Sequence, residues 1–329
     1  METSKQIKKK YGDVFFDVQD IIKKKTHIIP TTPKLDLALG GGIPEGSWVI
    51  ISGKEKSGKS VMCLTLAGFA QMPEYGGKKI YYFDVENRIK PMTLAGIPNL
   101  DLDPKKIEFI RSKRENIISA ENNLNIAEEI LKTEPNVVVI LDSASALCSE
   151  KEYTEDITSS ARNPGPKLLS TFTRKLAPVI PVQDSIVIII QHMIANTSGY
   201  GPAFMEDGGN KIKYQCDVKI RAKGYSKWEE DKKQIGQVVN WDVVYSALSA
   251  PGQTVETYLR FGEGYDDVWE LMELGVDTGL IEKGGSWFTL LFTGNAEKFQ
   301  GQKKMRDFLK ENPKILNALT AKIKAFYAA

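Results

Sequence analysis

A glycine-rich segment directly follows an apolar run near residue 50. Residues 49–63 read VIISGKEKSGKSVMC. The spacing Gly-x4-Gly-Lys-Ser is carried by Gly53, Gly58, Lys59 and Ser60. Such glycines let backbone N–H groups surround phosphates, while the lysine reaches the β- and γ-phosphates and the hydroxyl takes one Mg²⁺ position. The predicted ATP-binding residues are Gly53, Lys54, Glu55, Lys56, Ser57, Gly58, Lys59, Ser60 and Val61.

Polar residues also end the other apolar segments around this motif. Asp142 ends VVVILD and is predicted to hold Mg²⁺ together with Ser60, the alternative being a buried capping aspartate. Glu86 follows YYFD, where a carboxylate can orient and deprotonate the attacking water, unless it is a surface glutamate. Gln191 ends IVIIIQ, where an amide can bond the γ-phosphate, and the lone His192 beside it is expected to be incidental. The predicted catalytic residues are Glu86, Lys59 and Gln191.

Four β-branched apolar segments supply the strands that would position these groups. They are residues 47–52, 79–84, 136–142 and 185–191, with room for helices between them. Continuous apolar runs that alternate with helical stretches are typical of a parallel sheet covered on both faces. Functional groups in such sheets gather at the carboxyl ends of the strands. The predicted fold class is therefore α/β, with the polar residues at one edge of the sheet.

The second half of the chain predicts further strands and helices. Residues 238–248 and 254–261 are expected to pair as an antiparallel edge of the sheet. Residues 265–290 have the pattern of a helix, a turn and a strand pair. Residues 302–327 predict two amphipathic helices that are interrupted at Asn312-Pro313.

These patterns divide the chain near residues 28 and 264. We predict a separate N-terminal segment over residues 1–28, with a short helix within residues 5–25 that packs on another surface; its role in oligomerisation is implied only by the family resemblance described below. An ATPase core is predicted over residues 29–264, followed by a small α+β domain over residues 265–329. Residues 29–47, rich in proline and glycine, are expected to be a segment of turns at the start of the core.

Two long polar segments are predicted to be loops that contact DNA. They cover residues 148–166 and 192–209, and the second has no periodicity. A long structureless segment inside a compact domain is usually functional. Arg162 would meet a phosphate and Tyr200 would stack against bases, as in sites that follow a nucleic-acid backbone. Lids over a small-molecule substrate are the alternative.

Composition favours a soluble cytoplasmic protein. Apolar residues make up 42% and charged residues 26% of the 329-residue chain, and no apolar run is long enough to cross a bilayer. The three cysteines lack metal-type spacing, so free thiols are expected. Residues 1–27 hold seven lysines and four acids, and residues 297–329 hold eight basic and three acidic residues, which leaves −6 between them from a net charge of +2. Such basic ends indicate anionic partners, contacts between copies, or only solvated helix faces.

Six sequence motifs lie along the chain between residues 35 and 313. Those of the core are LDLALGGGIPEGSWVIISGKEKSGKS, YYFDVE, VVVILDSASAL, IIIQ and GGNKIKY. The sixth is FGEGYDDVWELMELGVDTGLIEKGGSWF, followed by LKENP. In order and spacing these motifs resemble the RecA family of homologous-recombination ATPases, in a short form similar to the phage-encoded recombinases. The sixth motif is typical of the bacterial branch of that family.

This resemblance implies a RecA-type P-loop core with a mostly parallel twisted sheet flanked by helices, a short N-terminal helix and a small α+β C-terminal domain. It implies that Glu86 is the catalytic glutamate, Gln191 the γ-phosphate sensor and Tyr200 the aromatic tip of the second DNA loop. The N-terminal helix would dock on the adjacent protomer and build a helical filament on DNA. The implied DNA-binding residues are Arg162, Asn163, Gly165, Met193, Thr197, Tyr200, Gly208, Gly209 and Asn210.

The sequence departs from the family pattern near the nucleotide. Bacterial members carry two lysines that reach the ATP of the neighbouring protomer, but Tyr245 and Ala247 stand at those positions. Other lysines would have to supply that charge. Thr93 stands where an aromatic ring often faces adenine, which leaves base stacking open. The residues expected at the interface are Lys211, Lys213, Tyr214 and Lys219.

The predicted function is that of an ATP-dependent recombinase that coats single-stranded DNA, pairs it with homologous duplex and exchanges strands. ATP, with Mg²⁺, would act as a latch that orders both loops until it is hydrolysed. The expected partners are single- and double-stranded DNA, further copies of the chain, and mediator and single-strand-binding proteins, in the host cytoplasm if the protein is phage-encoded. A ring-forming helicase or regulatory ATPase, and a DNA-coating protein with weak ATPase activity, stay open as alternatives.

Overall fold

The computed structural model describes residues 2–156, 165–196, 204–207, 211–230 and 232–328, without the side chains of Glu2, Lys211 and Lys213. The helices are α1 (Glu2–Tyr11), α2 (Val18–Lys23), α3 (Pro33–Leu39), α4 (Lys59–Ala70), α5 (Pro91–Ala95), α6 (Ala120–Thr133), α7 (Glu150–Thr154), α8 (Gly165–Leu176), α9 (Val179–Val182), α10 (Asp267–Asp277), α11 (Gln302–Glu311) and α12 (Pro313–Ala328). The strands are β1 (Ile28–Ile29), β2 (Ile43–Pro44), β3 (Trp48–Gly53), β4 (Lys79–Asp84), β5 (Ile107–Ile110), β6 (Val137–Asp142), β7 (Ile186–Ala195), β8 (Phe204–Glu206), β9 (Val218–Glu230), β10 (Lys233–Ser246), β11 (Gln253–Arg260), β12 (Gly264–Tyr265), β13 (Ile281–Gly284), β14 (Trp287–Leu290) and β15 (Lys298–Gln300). Short 3₁₀ turns cover Pro73–Tyr75, Ala144–Ala146 and Lys211–Tyr214.

One large mixed sheet forms the centre of the molecule. Its strand order within the described residues is β12-β11-β10-β9-β3-β7-β6-β4-β5, with β8 beside β7. The strands from β9 to β5 pair in parallel, whereas β9 to β12 pair antiparallel. The predicted α/β class, the four parallel strands and the antiparallel edge are therefore confirmed.

Helices cover both faces of this sheet because its central strands are apolar on both sides. Val49 and Ile51 of β3 pack into a cluster that includes Met62 of α4. Ile50, between them, points the other way and packs into a second cluster with Phe172 of α8. Two buried faces explain why these strands are continuous apolar runs instead of alternating ones. The two clusters fix the strand ends, where the functional residues lie.

The C-terminal region has a core of its own. Helices α10, α11 and α12 and the sheet β13-β14-β15 enclose Met272, Phe288, Leu309 and Leu319. The predicted helix, strand pair and two helices interrupted before Pro313 are confirmed. The division of the chain near residue 264 stays a prediction.

The prediction of turns alone over residues 29–47 was wrong. This segment contains the helix α3, which begins at Pro33 and ends at Leu39. Gly40, whose φ is 82°, is its C-cap. Proline at the first helical position and glycine at the C-cap are common helix boundaries, because the first N–H is unpaired anyway and glycine adopts a left-handed conformation readily. Pro33 and Gly40, two of the residues that suggested turns, therefore delimit a helix.

The N-terminal segment forms two short helices, α1 and α2, where a single helix was predicted. Gly12, with φ 84°, follows the first. Phe16, Ile21 and Ile22 are 78%, 66% and 68% exposed, so this segment presents an unpaired apolar surface.

Both predicted loops are shorter than expected. Residues 150–154 form α7, which has a capping box between Ser149 and Glu152. Strand β7 runs four residues beyond Gln191 and pairs antiparallel with β8, so residues 192–195 and 204–206 of the predicted second loop are strands. Within the described residues Cys63, Cys148 and Cys216 form no disulfide bond. In the part of the chain that the structure describes, no helix has the length and apolarity of a membrane span.

Candidate functional site

The glycine-rich segment connects β3 to α4, as its position after an apolar strand predicts. Lys59 is only 5% exposed, and its ammonium donates hydrogen bonds to the carbonyls of Gly53 (3.0 Å) and Lys54 (2.7 Å). Burial lowers the pKa of Lys59. Gly58 has φ 82°, and a Cβ there would lie 2.6 Å from the Tyr265 hydroxyl. The loop thus needs glycine at this point and holds its lysine inside the curve, where phosphates would bind.

A hydroxyl and a carboxylate meet directly behind this loop. Ser60 Oγ donates to Asp142 Oδ2 at 2.6 Å, and the hydroxyl of Tyr82 donates to the same oxygen. Burial raises the pKa of Asp142. Among the described residues no group of three or more His, Cys, Asp or Glu side chains surrounds a metal position. A single carboxylate beside a serine suits Mg²⁺, which keeps several waters and takes further oxygens from phosphates.

Glu86 lies just beyond β4 and is held by three side chains. Its Oε1 accepts from Ser143 Oγ (2.8 Å) and contacts His192 Nε2 (2.9 Å), while Oε2 pairs with Arg88 at 2.9 Å. The hydrogen bond from His192 is the main cause that lowers the pKa of Glu86 to about 2. The expectation that His192 is incidental was therefore wrong. A carboxylate so strongly stabilised is a poor proton acceptor.

Gln191 lies on β7 opposite Ser52 of β3, the strand that leads into the phosphate loop. Its side chain is fully buried, and neither its Nε2 nor its Oε1 has a hydrogen-bond partner among the described residues. Buried amides are rarely left unpaired. Gln191 therefore lies on the strand beside the one that leads into the nucleotide loop, and its amide has an unused donor and acceptor.

A cavity of about 680 Å³ lies between the phosphate loop, Asp142 and Glu86, and Gln191 is not among the described residues that line it. Its lining includes Glu55 to Val61, Asp142, Glu86 and His192, and Thr93 of α5. Sequence reasoning missed several further lining residues, which are Tyr225, Lys227, Gln234, Gln237, Leu259 and Phe261. The last two could have been found, because β11 runs in the direction of β3 and its carboxyl end must lie at the same edge.

Comparison with known proteins identifies the family of the chain. The sequence profile described as RecA N-terminal domain matches residues 1–266, and that described as RecA C-terminal domain matches residues 269–328. The chain belongs to the RecA family. Protein RecA of Sulfurovum sp. (strain NBC37-1) is 30% identical over 294 residues, which are 88% of this chain and 80% of that protein. Protein RecA of Thermotoga neapolitana is 30% identical over 91% of this chain and 84% of its own length, and that of Oleidesulfovibrio alaskensis 28% identical over 96% and 88%.

Membership in the RecA family confirms the predicted activity. The protein is an ATP-dependent DNA recombinase and a DNA-dependent ATPase, which binds ATP and DNA and assembles with its own copies into filaments. The relatives named above come from bacteria, so the phage-type assignment stays a prediction.

The structure places only some of the predicted DNA-binding residues. Gly165 is buried at the start of α8, and Met193 lies on β7 opposite Glu206. The others lie outside the described residues, and they are Arg162, Asn163, Thr197, Tyr200, Gly208, Gly209 and Asn210. The DNA contacts therefore stay predictions.

The predicted interface residues differ among themselves. Tyr214 is 89% exposed and accessible to a neighbour. Lys219 is 6% exposed, and its ammonium binds Glu206 Oε2 of the same chain at 2.6 Å. The side chains of Lys211 and Lys213 are outside the described parts of the structure. As it stands, Lys219 stabilises its own protomer, because a buried lysine needs a paired charge.

Proposed function

We propose that ATP works in this RecA-family recombinase as a latch that holds the DNA-binding state, and that hydrolysis at Glu86 opens the latch. The observation that carries this proposal is the fully buried, unpaired amide of Gln191 between the nucleotide loop and the segment 192–209. A buried amide without a partner costs about 1–3 kcal/mol. A γ-phosphate oxygen that accepts from its Nε2 would remove this cost and favour one arrangement of the following segment.

The residues of the phosphate loop have distinct roles in this proposal. Lys59 exchanges its two carbonyl partners for oxygens of the β- and γ-phosphates, and the backbone N–H groups around Gly58 bind the remaining oxygens. Leu259 and Phe261 offer an apolar surface for the base beside Thr93. Phe261 would thus supply the aromatic ring against adenine that Thr93 does not provide.

Ser60 and Asp142 are the residues that would hold Mg²⁺, since they place a hydroxyl and a carboxylate oxygen 2.6 Å apart at the start of α4. The ion would neutralise charge on the β- and γ-phosphates. Tyr82 donates to the same carboxylate and thereby fixes its orientation.

Glu86 orients a water against the γ-phosphate and accepts its proton as the new P–O bond forms and ADP leaves. Its present contacts with Ser143, His192 and Arg88 hold the carboxylate in a resting arrangement. These contacts must loosen before the carboxylate can act as a base, because a group with a pKa of about 2 accepts a proton poorly.

The DNA site is proposed to include Arg162 and Tyr200 in the two loops, with residues 1–28 as the segment that docks on a neighbouring copy. In this arrangement Tyr245 and Ala247 leave the interface without the family's lysines, and Lys211 and Lys213 are the proposed substitutes. Mediator and single-strand-binding proteins are proposed partners, and the cytoplasm is the proposed site of action.

Replacement of Glu86 by glutamine tests the hydrolytic part of the proposal. Glu86→Gln keeps the shape of the side chain but removes its basicity, so we expect DNA-stimulated ATP turnover to fall about 100-fold or more. Binding of a fluorescent ATP analogue and of single-stranded DNA should persist. Glu74→Gln, a change at a residue remote from the cavity, is the control. Turnover at the unchanged rate would exclude Glu86 as the base.

A further inference from the structure

His192 lies on β7, next to the residues of this strand that pair with β8. Its backbone carbonyl accepts from the N–H of Asp207 at 3.0 Å, and its own N–H donates to Ser145 Oγ at 3.0 Å. The next residue, Met193, pairs with Glu206 across the β7–β8 ladder. A movement of β8 against β7 would therefore act on the backbone of His192 directly.

The side chain of His192 reaches from β7 to the catalytic carboxylate. Its Nε2 lies 2.9 Å from Glu86 Oε1, whereas its Nδ1 is buried without a partner among the described residues. The Nε2–H tautomer therefore suits the site, because Glu86 is then the acceptor of the ring's single N–H. The two residues are 106 positions apart in sequence, so the contact depends on the fold and not on local geometry.

The other two partners of Glu86 do not connect it to the DNA loop. Ser143 follows β6, and Arg88, whose side chain is 72% exposed, lies in the same turn as Glu86. Among the described contacts of this carboxylate, His192 is the one that belongs to the 192–209 segment.

We propose that His192 is a positioning residue that holds Glu86 at rest until DNA binds to the segment 192–209 and withdraws the ring. Through this contact DNA would act on the hydrolytic residue directly, separately from the proposed path through Gln191 to the γ-phosphate. This inference rests on the proposed function, since it requires that Glu86 activates the water.

The test is the ATPase activity of His192→Ala without DNA. Loss of one hydrogen bond to a charged group should raise the DNA-independent kcat by about tenfold. The KM for ATP should stay the same, and the stimulation by single-stranded DNA should fall by a similar factor. His192→Gln, whose amide can still donate to Glu86, should restore low basal activity. His27→Ala is the matched control, because the other histidine of the chain contacts Glu45 away from this site.

Two outcomes would overturn the inference: a His192→Ala protein that binds nucleotide normally but has wild-type basal activity, or one that loses activity both with and without DNA. The double variant Glu86→Gln/His192→Ala should be inactive, because it lacks the Glu86 carboxylate that the loss of His192 would otherwise release. If Glu86→Gln alone retains turnover, the proposed function itself fails. If Glu86→Gln is inactive while His192→Ala changes nothing, only the role of His192 is refuted.

Discussion

Two carboxylates at the carboxyl edge of the sheet are placed in opposite electrostatic states. Asp142 is buried and its pKa is raised, so it gains from a nearby cation. Glu86 receives hydrogen bonds that lower its pKa to about 2, so its charge is already satisfied. Asp142 thus suits the proposed metal site, whereas Glu86 must lose hydrogen bonds before it can act as a base.

The Ser60 hydroxyl provides a prediction at the residue scale. Ser60→Ala removes the group that lies 2.6 Å from Asp142, so we expect the Mg²⁺ concentration needed for half-maximal ATPase activity to rise about tenfold. Titration of Mg²⁺ at saturating ATP measures this change. Thr65→Ala is the control, since the Thr65 hydroxyl, on the same helix, donates to the Val61 carbonyl and does not line the cavity. An unchanged Mg²⁺ requirement in Ser60→Ala would remove Ser60 from the metal site.

At the residue scale, the phosphate loop and the residues at strand ends were predictable because their spacing and context are local. Lys59, Ser60, Asp142 and Glu86 line the cavity as expected. The role of His192 was not predictable, since its contact with Glu86 forms only when β4 and β7 are brought to the same sheet.

At the scale of elements, β7 runs from beside the phosphate loop into the proposed DNA-binding segment, and Gln191 is the last buried residue of this strand. Gln191→Leu keeps the volume but removes the amide, so single-stranded DNA should be bound about equally with an ATP analogue and with ADP. Nucleotide affinity should change little. The melting temperature should rise, because an unpaired buried amide that costs about 1–3 kcal/mol is lost.

The matched control for this change is Gln253→Leu, at an exposed amide on β11. Fluorescence anisotropy with labelled DNA in the two nucleotide states measures the ratio of affinities. A Gln191→Leu protein that still distinguishes the two states as the wild type does would refute the latch through Gln191.

The junction of α3 and α10 predicts a dependence of stability on pH. Glu270 accepts from the backbone N–H of Lys34, and burial raises its pKa to about 8, while burial raises the pKa of Asp36 in α3 to about 7. The folded state therefore binds protons that the unfolded state releases near pH 4 to 5. Stability from these groups is present at low pH and is lost as the pH rises through about 8.

Urea denaturation between pH 5 and pH 8 tests this sign. Glu270→Gln should reduce the loss of unfolding free energy by up to about 1.4 kcal/mol per pH unit. Glu282→Gln, at an exposed residue of β13, should leave the slope unchanged. A slope that Glu270→Gln does not alter would show that Glu270 is not protonated in the folded protein.

Long apolar strands were the easiest elements to predict, whereas short or twisted ones were missed. β5 has four residues and only one of them is buried, so its pattern is weak. β9 is buried over residues 218–220 and mostly exposed from Lys223 onward, and it ends in charged residues, because it leaves the sheet as one arm of a hairpin with β10. The length of β9 follows only from this pairing. The hairpin adds Tyr225, Lys227, Gln234 and Gln237 to the lining of the cavity, and these residues could not be predicted without it.

At the scale of the whole molecule, the nucleotide site and the position of the missing lysines lie at opposite edges of the sheet. β10 runs antiparallel to β9, which is parallel to β3, so Tyr245 lies at the edge away from the phosphate loop of its own chain. Only a head-to-tail neighbour can bring this edge to an ATP site. A repeated contact of this kind produces an open helical filament unless the rotation closes a ring.

Binding of single-stranded DNA in two nucleotide states tests the central claim most directly. We expect affinity to be at least tenfold higher with a non-hydrolysable ATP analogue than with ADP, because a latch shifts the population only by its differential affinity for the two states. Electron micrographs of the same samples should show filaments that lengthen with the DNA. Equal affinity in the two states, with no filaments in either, would contradict the account.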